Sequence, residues 1–125
     1  MKKILVIDDS ATVRQEVTAA LVGGEFTVLE ATDGADGLVQ LSRDADIAMV
    51  LCDVNMPRMN GMELLESLSA GSGRIRVPIL MLTTEAAPAL VDRAKKAGAK
   101  GWIVKPFKRD LLLGAVRKLT AQPVL

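Results

Sequence analysis

The sequence predicts an α/β fold: a doubly wound, five-stranded parallel sheet with helices on both faces, three layers in all. Three observations predict it. Five short apolar runs recur along the 125 residues, at 4–7, 26–31, 49–52, 77–82 and 101–104. Each is followed by a stretch whose apolar residues recur at helical spacing, the alternation that parallel strand–helix–strand units require. Several runs are apolar at every position, as strands buried on both faces are.

Each element has its own signals. Ile4, Leu5, Val6 and Ile7 end at Asp8-Asp9-Ser10, residue types that cap helices. Val13, Val17, Ala20 and Leu21 mark the first helix, and Gly23-Gly24 is expected to stop it. Residues 26–31 alternate loosely and read as a strand near an edge. Thr32-Asp33-Gly34 reads as a turn, and the helix bearing Leu38 and Leu41 is weakened by Gly37. The run 49–52 stops at Asp53, and Asn55, Pro57 and Gly61 punctuate the turn that follows. Met62, Leu65 and Leu68 mark a third helix, and residues 70–73 read as a flexible connector. Pro78 lies near the start of the fourth strand, where a missing donor is tolerated. Thr83-Thr84-Glu85 is expected to open a helix carrying Leu90, Val91, Ala94 and Ala97. Pro88 falls in its first turn or so, and Gly98 ends it. Lys105-Pro106-Phe107 follows the fifth strand. Leu112, Leu113, Val116 and Leu119 mark the last helix, and Pro123 is expected to end it.

Composition narrows the function. Residues 1–125 read as one domain, long enough to bury a core. No apolar run approaches a membrane span, and the run after Lys2-Lys3 is too short for a signal peptide. A cytoplasmic protein, a monomer away from membranes, is expected. One cysteine, Cys52, excludes an internal disulfide, and its place in a buried strand makes it a core residue rather than a nucleophile. The chain has no histidine, which argues against a triad hydrolase or a zinc enzyme. With no tyrosine, two Phe and one Trp, a stacking surface for nucleic acid is poorly supplied. The net charge of +1 hides an asymmetry. Residues 1–73 carry 5 Lys and Arg against 12 Asp and Glu (−7), and residues 74–125 carry 11 against 3 (+8). An acidic pocket and a separate basic surface would explain it, and so would a scattered solvated surface.

In a parallel sheet the carboxyl ends of all strands lie on one side, where ligands of open α/β folds bind. Polar residues stand at four of those ends: Asp8 and Asp9, Asp53, Thr83 and Lys105. Three carboxylates together repel, and a hard divalent cation such as Mg²⁺ resolves the conflict. A carboxylate can act as nucleophile toward phosphorus, while metal and ammonium neutralise the transferring group. Each residue also has a plainer reading: Asp9 and Thr83 as helix caps, Lys105 as a solvated surface residue. Agreement among four strand ends favours the site.

The pieces Val6-Ile7-Asp8-Asp9-Ser10, Asp53-Val54-Asn55-Met56-Pro57 with Met59 and Gly61, Leu82-Thr83-Thr84-Glu85 and Lys105-Pro106-Phe107 carry a resemblance. In order and spacing the chain resembles the receiver domain of two-component response regulators, most closely the stand-alone, CheY-like chemotaxis type. The resemblance covers essentially the whole chain. It implies a flavodoxin-like sheet of order 2-1-3-4-5 and a cis Lys105–Pro106 bond. It implies Asp53 as phosphoacceptor, Asp9, Asp53 and the Asn55 backbone carbonyl as Mg²⁺ ligands, and Asp8 holding the metal through water. Thr83 and Lys105 would meet the phosphoryl group. Trp102 departs from the family, standing where Tyr or Phe swings inward on activation. It reads either as an altered switch residue or as half-buried packing on an outer strand.

The resemblance also implies partners. The phosphoryl donor would be a phosphohistidine on a sensor histidine kinase or phosphotransfer domain. With no output domain after Leu125, output is expected through protein contact at the face of the fourth helix, fifth strand and last helix, where much of the positive charge falls. A flagellar motor switch is one such target, and phosphate-sink and kinase-feedback roles also fit. The protein would catalyse only its own phosphorylation and dephosphorylation. The rival readings are a pseudo-receiver that binds partners unphosphorylated, and a flavodoxin-like small-molecule binder, for which a phosphate-cradling loop is missing.

Overall fold

The computed structural model describes residues 1–21, 23, 25–70 and 77–121. Five strands alternate with five helices: β1 (Lys2–Ile7), α1 (Ala11–Leu21), β2 (Phe26–Ala31), α2 (Gly34–Arg43), β3 (Ile47–Cys52), α3 (Gly61–Ala70), β4 (Ile79–Thr83), α4 (Pro88–Lys96), β5 (Gly101–Val104) and α5 (Arg109–Thr120). All paired strands are parallel, in the order β2-β1-β3-β4-β5. The expected fold and strand order are both present, with β2 at an edge.

The period of two along each strand divides the core. Ile4, Val6, Met49, Leu51, Leu80 and Leu82 face α1 and α5, packing with Val17, Leu21, Leu112 and Val116. Leu5, Ile7, Val50, Cys52, Ile79 and Met81 face the other way, toward Met62, Leu64 and Leu65 of α3 and Ala94 of α4. The unbroken apolar runs 4–7 of β1, 47–52 of β3 and 79–82 of β4 are therefore what a sheet covered on both sides requires. Gly37 lets α2 approach β1, since a Cβ there would lie 2.4 Å from Ile7 Cδ1.

The helix ends refine the sequence reading. Ser10 caps α1, its hydroxyl accepting from the Val13 N–H at 3.3 Å, so the cap is not Asp9. Asp33 both ends the turn and caps α2, accepting from the Asp36 N–H. Helix α4 begins at Pro88 rather than at Thr83-Thr84-Glu85. A proline biases the preceding residue away from helical backbone and suits the first helical position itself; Ala87 is accordingly extended. Gly98 follows α4 at φ 103°, as expected of its stop. The expected roles of Gly24, of the connector beyond Ala70 and of Pro123 lie outside the described residues. Among the described residues, no helix is long and apolar enough to cross a membrane.

Candidate functional site

The register of β1 and β3 brings their carboxyl ends side by side. The Asp53 N–H donates to the Ile7 C=O at 3.0 Å, and the Asp8 N–H to the Ala31 C=O at 3.1 Å. Asp8, Asp9 and Asp53 each offer a carboxylate oxygen within 4.8 Å of the others, with Asp8 and Asp53 buried and Asp9 exposed. Lys105 reaches across from the end of β5. Its Nζ donates to Asp8 Oδ2 at 2.8 Å and to Asp53 Oδ2 at 3.3 Å. Its backbone N–H binds the Thr83 C=O at 2.8 Å, and the Lys105–Pro106 bond is cis. Three carboxylates and an ammonium from three strand ends thus converge, with Thr83 tied to Lys105 through the backbone.

The electrostatics of this cluster are one-sided. Burial pushes the Asp8 carboxyl above its ordinary range, outweighing the bonds from Lys105 and the Ser10 N–H, and the charge of Asp53 pushes the same way. Burial alone would lower Lys105, yet its bond to Asp8 and the charge of Asp53 hold it above its ordinary value. The causes differ: burial dominates at Asp8, whereas at Lys105 the two carboxylates outweigh burial. Three carboxylates facing one ammonium leave a formal charge of −2. An all-oxygen donor set with that charge fits a hard divalent cation. The neighbouring Cys52 thiol is pushed far up by complete burial and by the charges of Asp53 and Asp8, which keeps it unreactive.

The other expected residues sit around this cluster. Asp53 Oδ1 accepts from the N–H of Val54 at 2.7 Å and of Asn55 at 3.4 Å. Gly61 permits the loop to fold back, because a Cβ there would lie 2.0 Å from the Asp53 carbonyl oxygen. Thr83 is fully buried, and its hydroxyl accepts from the Glu85 N–H at 3.2 Å. Trp102 does not enter the acidic cluster. It is half-buried in the core on the α3 and α4 side, and its indole N–H donates to the Glu85 C=O at 2.8 Å.

Sequence reasoning missed three supporting contacts. Arg14 of α1 donates to the Asp8 carbonyl and to Glu30 of β2. Asn55 Nδ2 donates to Glu85 Oε1 at 2.9 Å, joining the β3–α3 and β4–α4 loops. Arg58 donates to the buried Asp33. All three span distant parts of the chain. The only local signal was a charged residue one turn into a helix, or within a loop, next to a site residue.

Known proteins share this arrangement. The family described as the response regulator receiver domain matches residues 4–117. The chain is 41% identical to chemotaxis protein CheY1 of Helicobacter pylori over 112 residues, 88% of this chain and 90% of that one. It is 40% identical to a CheY homologue of Campylobacter jejuni over 88% of this chain and 85% of that protein. Chemotaxis protein CheY4 of Vibrio cholerae superposes with a TM-score of 0.85 at 37% identity, covering 95% of this chain and 98% of that one. The fold alone is shared with the CheY of a Borrelia burgdorferi CheX–CheY–BeF3–Mg²⁺ complex, at TM-score 0.87 and 24% identity, over 96% of this chain and 90% of that one. With strand order, acidic cluster and lysine all in place, the chain belongs to the response regulator receiver domain family, and within it to the CheY type.

Proposed function

We propose that this chain is a cytoplasmic, Mg²⁺-dependent phosphorylation switch, accepting a phosphoryl group on Asp53 and signalling by protein contact, in chemotaxis. The observation that carries the proposal is the Lys105 ammonium held between Asp8 and Asp53 at the carboxyl edge of the sheet. A carboxylate oxygen of Asp53 attacks phosphorus. The new P–O bond forms as the donor's bond to phosphorus breaks, and the electron pair leaves with the donor. Lys105 donates to the phosphoryl oxygens, whose charge it offsets. Asp9, Asp53 and the Asn55 carbonyl would hold Mg²⁺, with Asp8 behind them. When bound, the cation supplies charge neutralisation and orientation of the phosphoryl group. Residues 1–125 contain no histidine, so the phosphoryl group comes from outside this domain, from the phosphohistidine of a kinase or phosphotransfer domain or from a small phosphodonor.

Thr83 and Trp102 carry the switch in this reading. Both contact Glu85, Thr83 through its hydroxyl and Trp102 through its indole N–H. A shift of Thr83 toward the phosphoryl group would therefore be felt at Trp102 and on the face of α4, β5 and α5. That face is suited to an acidic, partly apolar partner. Arg93, Lys96 and Arg117 are paired with Glu66, Asp92 and Glu25. Lys95, Lys100, Lys108, Arg109 and Lys118 have no carboxylate partner among the described residues. Trp102, Ile103, Leu111 and Ala115 line a groove of about 430 Å³ between Lys100 and Lys118. Charge of this kind speeds encounter with an acidic surface. The B. burgdorferi fold relative was solved with CheX, BeF3 and Mg²⁺, which supports a metal-dependent reading in which the domain meets a protein partner.

The test is intact-mass measurement after treatment with acetyl phosphate and Mg²⁺. The wild type should gain one phosphoryl group, and it should gain none in EDTA or as Asp53→Asn. Trp102 fluorescence should change in parallel. A wild type that stays unmodified, with a kinase donor as well, would leave a pseudo-receiver.

A further inference from the structure

Arg58 occupies a position that suits another residue. Its φ is 64°, a left-handed backbone that strains residues with a Cβ and that glycine adopts freely. It sits at the centre of a three-residue turn closed by the Met59 N–H donating to the Pro57 C=O at 2.7 Å, which is the rarer, strained kind of γ-turn. Nothing local favours arginine there. Its side chain supplies the reason. Nε donates to Asp33 Oδ2 at 2.7 Å, and Nη2 donates to the same oxygen. Asp33 is only 1% exposed, so loss of the guanidinium leaves a buried carboxylate short of a partner.

A second tie lies beside the first. The Gly34 N–H donates to the Met59 C=O at 3.0 Å, an approach so close that a Cβ on Gly34 would lie 2.7 Å from that oxygen. The loop itself is closed at its base, where the Gly61 N–H donates to the Val54 C=O at 2.9 Å. Asn60 and Glu63 exchange reciprocal bonds at the start of α3. Residues 54–61 thus form a closed loop with Asn55 near one end and Arg58 at the tip, pinned to the β2–α2 turn.

We infer that Arg58 is a positioning residue: through Asp33 it fixes the loop bearing the Asn55 carbonyl, and so sets how tightly the site holds Mg²⁺. The inference rests on the receiver reading above. Arg58→Gly is the informative variant, because relief of the backbone strain at residue 58 offsets part of the cost of leaving Asp33 without its guanidinium partner. In calorimetric titration, Arg58→Gly and Arg58→Ala should bind Mg²⁺ roughly tenfold more weakly than the wild type, the lower end for residues that support metal ligands. Amide exchange of residues 55–60 should quicken in both variants without metal. Phosphorylation by acetyl phosphate should return to the wild-type rate at saturating Mg²⁺, placing the defect in metal binding and not in the chemical step. Arg58→Lys should restore part of the affinity, and Arg58→Gly should cost little more when Asp33 is already Asn. Variants that match the wild type within about twofold, against that tenfold expectation, would overturn the inference alone. A wild type that neither binds Mg²⁺ nor is phosphorylated would overturn the receiver reading as well.

Discussion

Asp8 is the residue at which burial and pairing conflict most. Its folded-state pKa lies above the ordinary value of 3.8, chiefly because it is buried. A raised folded pKa means that the folded protein holds this proton more tightly than the unfolded chain. The resulting stabilisation is complete below the unfolded pKa and is lost as pH rises through the folded one. Ionised Asp8 is therefore a net cost to the metal-free protein at neutral pH. Asp8→Asn keeps an acceptor for the Ser10 N–H while removing that charge. Melting curves in EDTA should show the variant more stable than the wild type at pH 7, with a smaller difference at pH 4. A variant that melts lower at pH 7 would mean that the Lys105 pairing outweighs burial. At this scale Asp8, Asp9, Asp53, Thr83 and Lys105 were legible because each directly follows, or ends, an apolar run. Arg14 and Arg58 were not, because their partners Glu30 and Asp33 lie 16 and 25 residues away.

Two glycines show how differently elements use the same residue. Gly61 opens α3 against the backbone of Asp53, and an added Cβ would meet a carbonyl oxygen that cannot move without moving Asp53 itself. Gly61→Ala should cost about 3 kcal/mol, the upper range for overpacking. Gly114 lies inside α5, where an added Cβ meets nothing within 4 Å. Gly114→Ala should stabilise by about 1 kcal/mol through helix propensity alone. Urea denaturation of both variants checks the pair, and opposite signs are the expected outcome. Sequence reasoning placed all ten elements, because strand and helix periods differ plainly. It set the start of α4 too early, because Thr83-Thr84-Glu85 reads as a cap until Thr83 is seen to be the last residue of β4.

For the whole molecule, charge is arranged by place and not merely by sequence. Negative charge converges on the carboxyl edge, while lysines without a carboxylate partner among the described residues crowd the α4–β5–α5 face. A cation that binds only the folded site should stabilise the entire domain. At Mg²⁺ a hundredfold above its dissociation constant, linkage gives about 2.7 kcal/mol, or roughly 10 °C in melting temperature for a domain of this size. EDTA should reverse the shift, and Asp53→Asn should reduce it. A melting temperature indifferent to Mg²⁺ would count against the acidic cluster as a metal site.

Periodicity by itself determined the fold class and the five strand–helix units, and strand-end residues pointed to the cluster of Asp8, Asp9, Asp53 and Lys105. Those signals are local: an apolar run, a helical spacing, a carboxylate after a strand. The resemblance carried by those motifs supplied the strand order and the family. Tertiary structure alone decided that Lys105 bridges Asp8 and Asp53, that Trp102 is bound to Glu85, and that a strained Arg58 anchors its loop on Asp33. The reason is that side-chain bonds between distant segments depend on how the loops meet once the sheet has formed. Short-range pattern carries no record of that meeting.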